Sequence, residues 1–281
     1  MQCGRIRVHH TFGGRGSPLL LIHGLGSAGY MEWRFNLRRL AARHTIYAPD
    51  LPGFGRSEKP TATRYGIPFF VRTLVRYMQE LKLRSAAVIG TSLGGGVALE
   101  LALRHPRRVR KLVLVNSVGL GRPKLQPHYP LLALPGVGEL GMRAVRSALR
   151  MAPPPLVRRV AGRMAAADAD PDQLLDDAYL DQLREMVAAE GYSEAYLSTV
   201  RSLLSVSALA RSLDVSSRLA TLSMPVLLIW GGNDPIFPVE NATRAHRLLP
   251  GSRLVVLEGA GHTPQAERPD EFNRAVLDFV G

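Results

Sequence analysis

Short apolar runs bounded by glycine, proline or aspartate alternate along the chain with longer amphipathic segments. The runs are Pro18–His23, Thr45–Asp50, Ser85–Gly90, Lys111–Asn116, Pro225–Gly231 and Arg253–Glu258. Several are apolar at every position, such as Leu19-Leu20-Leu21-Ile22 and Val226-Leu227-Leu228-Ile229. A strand that is apolar on both faces needs helices on both sides, which is the pattern of a parallel sheet. The alternation therefore predicts an α/β fold with a doubly wound, mostly parallel sheet. Arg5–Phe12, where Ile6 and Val8 alternate with polar residues, predicts an antiparallel edge strand.

Between Gly119 and Leu222 no such run occurs, and helical periodicities and proline breaks such as Pro153-Pro154-Pro155 take over. This predicts a helical insertion between two strands, dividing the chain into residues 1–120, an inserted cap 121–221 and residues 222–281. Within it, Gly136–Met151 places Leu140, Ala144, Val145, Ala148 and Leu149 on one helical face and Arg143, Arg146 and Arg150 opposite. Leu140 to Ala167 holds arginines and no acid, whereas acids dominate from Asp168 to Glu190. We read the basic helix as a lid with a solvated arginine face, in preference to a membrane-touching or acid-binding helix. Its apolar residues, with Leu131, Leu132 and Leu134, are expected to roof an apolar pocket.

Chemistry enters with Gly90-Thr91-Ser92-Leu93-Gly94, which follows one apolar run and precedes the helical segment Gly95–Arg104. A serine in G-x-S-x-G between strand and helix is a nucleophile elbow, and the glycines serve a turn too tight for a Cβ. The following helix aims its N-terminus at the hydroxyl, where it favours a developing anion. Serine needs a base and an orienting acid to react. Asp234, in Gly231-Gly232-Asn233-Asp234-Pro235, and His262, in Gly259-Ala260-Gly261-His262, each follow a strand at its carboxyl end, where catalytic groups of open α/β sheets gather. Read singly, Asp234 is also a turn aspartate and His262 a loop histidine; it is the matched placement of all three that selects them.

With Leu21-Ile22-His23-Gly24-Leu25-Gly26 and Asp50-Leu51-Pro52-Gly53-Phe54-Gly55-Arg56-Ser57 added, the chain resembles the α/β-hydrolase superfamily in its lid-bearing branch, over Pro18–Gly119 and Leu222–Gly281. The resemblance implies a helical cap and an oxyanion hole of two backbone N–H groups, from Leu93 and from Leu25, with Gly26 as the alternative to Leu25. Some relatives carry the acid after the strand Lys111–Asn116; here Asn116 and Ser117 stand there, so Asp234 keeps the role. Ser92 argues against the relatives that use an aspartate nucleophile. His23, Asp50 and Ser57 are read as residues that hold loops and turns.

The implied activity is carboxylic-ester hydrolysis through an acyl-enzyme, with no metal and no organic cofactor. The runner-up is carbon–carbon hydrolysis of ring-cleavage diketones, weakened because Thr91 and Thr263 replace the asparagine and aromatic residue common in those relatives. Lactonase, thioesterase and acyltransferase chemistry share the same intermediate. Two other classes compete. Gly24-Leu25-Gly26-Ser27-Ala28-Gly29 with Asp50 matches a dinucleotide fingerprint, but Gly136-Val137-Gly138-Glu139-Leu140-Gly141 matches it too, inside a helical stretch. A ligand sensor on the same scaffold would have no need of serine, acid and base together.

The chain has 281 residues and a formal net charge of +13, and lysine accounts for only four of its 36 basic side chains. No nucleic-acid motif accompanies that charge, so a basic sequence bias is the reading and no nucleic acid is expected as partner. Cys3 is the single cysteine, which excludes an internal disulfide and fits a reducing, cytoplasmic setting. Met1–Gly16 lacks the apolar run of a secretory signal. A small ester is the expected partner.

Overall fold

The structure is a computed structural model that describes residues 1–124, 128–161, 169–205 and 218–281. Nine strands are described: β1 (Gln2–Cys3), β2 (Ile6–Arg7), β3 (His10–Gly13), β4 (Ser17–Ile22), β5 (His44–Pro49), β6 (Ala86–Thr91), β7 (Val109–Val115), β8 (Val226–Gly231) and β9 (Arg253–Leu257). Seven of them form one sheet in the order β3-β5-β4-β6-β7-β8-β9, parallel except for β3. Each of the six apolar runs forms a strand of this sheet.

The predicted edge strand divides instead. Ile6–Arg7 turns back through Gly4, at φ +65°, to pair with Gln2–Cys3, and only His10–Gly13 pairs with β5. Gly4 has the positive φ that a tight hairpin needs, and the hairpin buries Cys3 and Val8 against the core.

The helices before the inserted segment are α1 (Gly29–Trp33), α2 (Leu37–Ala41), α3 (Ile67–Glu80) and α4 (Leu93–Arg104). Between β7 and β8 the described residues form α5 (His128–Ala133), α6 (Val137–Met151), α7 (Pro154–Ala161), α8 (Pro171–Leu174), α9 (Asp177–Ala188) and α10 (Tyr192–Leu203). Then come α11 (Val239–Leu248), α12 (Pro264–Glu267) and α13 (Pro269–Val280). Parts of the inserted stretch, including Arg163, Ala167 and Asp168, lie outside the described residues. No helix among the described residues is long and apolar enough to cross a membrane.

The sheet separates two cores. Leu20, Ile22, Val88, Leu112 and Leu228 face one way, onto residues of α3, α4 and α11. Leu19, Leu21, Ile89, Val113 and Ile229 face the other, onto Trp33, Leu40, Phe272 and Val276 of α1, α2 and α13. Strand alternation thus delivers both faces to apolar cover, which is why polar residues of β4, β5, β7 and β9 keep to the strand starts.

The amphipathic reading of Gly136–Met151 is corrected by the structure. The helix forms, but it buries Gly138 and Met142; Leu140, Ala144, Val145 and Ala148 lie exposed and Leu149 is half-buried. Packing of α6 on α5, α9 and α10 uses its glycine and methionine side. Glycine lets backbones approach closely; the Gly138 Cα faces the Leu132 carbonyl, where a Cβ would stand 2.2 Å away.

Candidate active site

Ser92 follows β6 and starts α4 with φ +51° and ψ −117°, a region costly for any residue with a Cβ. Its N–H donates to the Val115 carbonyl at 2.9 Å, and its own carbonyl accepts from Gly96 and Val118. These bonds hold the strain in place. A Cβ on Gly90 would lie 2.2 Å from the Gly94 carbonyl oxygen, and one on Gly94 would lie 2.3 Å from that of Ile22. Both elbow glycines are therefore required by the close passage of strand, turn and helix.

Asp234 and His262 occupy the loops after β8 and β9. His262 Nδ1 lies 3.1 Å from Asp234 Oδ1 and 3.0 Å from Oδ2. The Asp234 side chain is fully buried, and its Oδ1 also accepts from the backbone N–H groups of Ile236 and Phe237. Facing an acceptor-only carboxylate, Nδ1 carries the proton and Nε2 is left as the basic nitrogen. The Trp230 indole N–H donates to the Phe237 carbonyl at 2.8 Å and fixes the aspartate loop.

Two residues that hold the site together were not singled out from sequence. Asn116 Nδ2 donates to the carbonyls of Gly261 and His262, while its Oδ1 accepts from the Gly231 N–H. One side chain after β7 so ties the histidine loop to the end of β8. Glu267 accepts from the N–H groups of Gly261 and Thr263 and from the Thr263 hydroxyl, bracketing His262. Asn116 stood at the position compared for the acid; Glu267, at the end of a four-residue helix, has no motif to mark it.

Ser92 and His262 line two cavities that meet at them. One, of about 240 Å³, has a polar wall that includes Glu32, Arg34, Thr263 and Gln265. The other, of about 150 Å³, is walled by Val118, Leu203, Leu204, Ile236 and Phe237. Leu25 lines both and Leu93 the second, and neither N–H has a hydrogen-bond partner among the described residues. The inserted segment contributes Leu174, Leu175 and Tyr179 to the polar cavity and Tyr129, Val200, Leu203 and Leu204 to the apolar one. Burial pushes the Tyr179 phenol up to about 12. Leu131, Leu134, Leu140 and Val145 line neither cavity and are exposed, and Leu132 packs into the core, so the expected roof is made by other residues.

The loop readings of the other polar residues agree with their contacts. His23 is fully buried; Nδ1 donates to the Gly24 carbonyl and Nε2 accepts from the Leu51 N–H, while burial holds its pKa down. Asp50 accepts from the N–H groups of Gly29 and Arg56 and contacts His9 Nδ1 at 3.0 Å, and Ser57 donates to the Asp50 carbonyl. Burial raises the Asp50 pKa, but these hydrogen bonds outweigh it and the carboxyl sits below its ordinary value. A carboxylate bonded to the last glycine of the GxGxxG stretch is not presented to a ribose.

A parallel sheet bearing an elbow serine, with a histidine–aspartate pair beside it, defines an α/β-hydrolase scaffold. The family model of the alpha/beta hydrolase fold matches residues 17–269, and the chain belongs to that family. An uncharacterized protein of Mycobacterium tuberculosis is 32% identical over 95% of this chain and 76% of its own length. The 2-hydroxy-6-oxo-2,4-heptadienoate hydrolase of Pseudomonas putida is 29% identical over 95% of this chain and 90% of its own. The solved meta-cleavage product hydrolase of Pseudomonas fluorescens superposes with a TM-score of 0.76 at 25% identity, over 98% of this chain and 94% of its own.

Proposed function

We propose that this hydrolase cleaves a carboxylic ester through a serine acyl-enzyme. His262 Nε2 takes the Ser92 proton as Oγ attacks the ester carbonyl, and Asp234 holds the imidazole tautomer and stabilises the imidazolium. The oxyanion lies against the Leu25 and Leu93 N–H groups, whose residues line the cavity with Ser92 and which have no other hydrogen-bond partner among the described residues. The imidazolium returns its proton to the departing alkoxide. Water, deprotonated by His262, then hydrolyses the acyl group from Ser92. No step calls for a metal or an organic cofactor. The observation that carries this reading is the buried His262–Asp234 pair on the cavities that Ser92 lines. Residues 121–221 serve as the cap, since their described helices supply walls to both cavities.

A second reading, carbon–carbon hydrolysis of a ring-cleavage diketone, is favoured by the names of the two relatives above and by the polar cavity. Arg34 lines that cavity and meets no carboxylate within ion-pair distance among the described residues; its guanidinium donates to the carbonyls of Met31 and Leu174. A guanidinium without a carboxylate partner, on the cavity that Ser92 also lines, suits an anionic substrate end. Against it, Thr91 and Thr263 stand where such enzymes commonly carry asparagine and an aromatic residue. Purified protein should be offered p-nitrophenyl esters of increasing chain length beside a 2-hydroxy-6-oxo-dienoate. Ester turnover with a burst of nitrophenol is the expected result. Turnover of the dienoate alone would replace the ester reading by the second one.

A further inference from the structure

Eleven large apolar side chains stand exposed among the described residues, and eight of them fall between Leu131 and Val160; the others are Met1, Phe12 and Tyr30. A concentration of this kind within one exposed segment points to a surface that is covered in use. Helix α6 carries four of the eight. Val137, Leu140, Ala144, Ala148 and Met151 recur at spacings of 3, 4, 4 and 3 and form one exposed stripe, distinct from the side that buries Gly138 and Met142. Leu140 is 67% exposed and Met151 85%. On α7, Leu156 and Val160 are exposed at the same helical spacing of four while Val157 is buried.

The charges on α6 and α7 that are left without a partner among the described residues have one sign. Arg143, Arg146 and Arg150 of α6 and Arg159 of α7 are exposed and meet no carboxylate among the described residues. Other arginines of the same segment are paired: Arg158 with Asp172 and Asp177, Arg184 with Asp181, and Arg201 with Glu139. A helix with an uncovered apolar stripe flanked by unpaired arginines is suited to lie in the plane of an anionic interface, apolar side chains inserted and guanidinium groups at the phosphates. A two-fold pairing of this face with a second copy would set arginines against arginines.

We propose that the outer face of α6 and α7 docks on the surface of an anionic lipid bilayer. Its apolar side chains enter the headgroup boundary, and Arg143, Arg146 and Arg150 contact the lipid phosphates. None of these residues lines the cavities at Ser92, so docking and the reaction are separable.

The test is flotation of the full chain with phosphatidylcholine vesicles, with and without phosphatidylglycerol. At low salt the anionic vesicles should bind at least tenfold more tightly, and the advantage should fade as salt screens the arginines. Replacing Arg143, Arg146 and Arg150 together with glutamine should lower binding to anionic vesicles on the order of 100-fold. Leu140→Gln with Met151→Gln should weaken it by roughly tenfold or more through lost apolar insertion. Thermal unfolding of both variants should match wild type, since neither set is buried. Three outcomes overturn the proposal: no flotation with either vesicle, unchanged flotation of both variants, or a wild-type dimer in sedimentation equilibrium that Leu140→Gln dissociates. The last would assign the face to a second copy.

Discussion

In β8 every residue from Val226 to Gly231 is buried, whereas in the longer α6 only Gly138 and Met142 are. Both segments are rich in apolar residues, and their difference is one of position. β8 is flanked in the sheet by β7 and β9 and covered on both faces by helices, so each apolar side chain has somewhere to go. Helix α6 lies at the periphery and packs through one narrow side. A close backbone approach at Gly138 satisfies that side, and the bulkier residues are left outside. The sheet region therefore holds Ser92, Asp234 and His262 in fixed relation, and the helical region walls the cavities with one side while presenting another to its surroundings.

The largest expected consequence of this division concerns Ser92, the nucleophile of the proposed reaction. Ser92→Ala should reduce ester turnover by roughly 10⁶-fold, because the triad acts as a unit. Steady-state kinetics that retained a tenth of wild-type activity would move the nucleophile elsewhere. Next in size is the acid. Asp234→Asn should keep the fold and lose about 10⁴-fold in turnover, by offering His262 a donor where it needs an acceptor. Near-normal kinetics would detach Asp234 from catalysis and leave its bonds to Ile236 and Phe237 as its whole role.

The reach of sequence reasoning follows the same division. Strands with cover on both faces, glycines forced by a tight turn, and residues just past strand ends all leave local marks. Six strands and the convergence of Asp234 with His262 beside Ser92 were legible for that reason. Glu267 left none, because it acts on backbone groups hidden in a loop, and the place of Asn116 past β7 marked a position without showing that its side chain reaches backbone groups far away in sequence. Arg34 was equally silent, its place in the cavity being set by how α1 is followed in space. The outward stripe of α6 was misread on a different ground. Periodicity identifies a face that needs cover, but Leu140 and Val145 carry no sign of whether protein or something else supplies it.

A smaller effect separates the two regions by their response to acid. Burial lowers the pKa of His23, and of His10 and His44, below the ordinary value of 6.5. The unfolded chain binds these protons near 6.5 while the folded chain resists them. Stability is then fully present above that value and is lost as pH falls toward the depressed folded values. All three histidines belong to the sheet region, at or beside β3, β4 and β5. Urea midpoints should fall progressively as pH is lowered below 6.5. A midpoint that did not change as pH fell below 6.5 would mean that these histidines protonate as readily in the folded chain as in the unfolded one, His23 giving up its Nε2 bond from the Leu51 N–H without cost.

The smallest expected effect belongs to the outer face of α6. Glutamine has nearly the helix propensity of leucine and methionine, so Leu140→Gln and Met151→Gln test the tertiary environment rather than the helix itself. With those side chains in water, each change should leave unfolding stability within about 0.5 kcal/mol of wild type. Leu228→Ala, in the middle of β8 and fully buried, sets the scale at roughly 2–5 kcal/mol, because it removes both transfer energy and packing. The two positions carry the same side chain and differ only in what surrounds it. Were Leu140→Gln to cost as much as Leu228→Ala in chemical denaturation, the stripe would be covered by this chain or by a second copy of it. The contrast between a sheet closed on both faces and a helix open on one would then fail at its most exposed point.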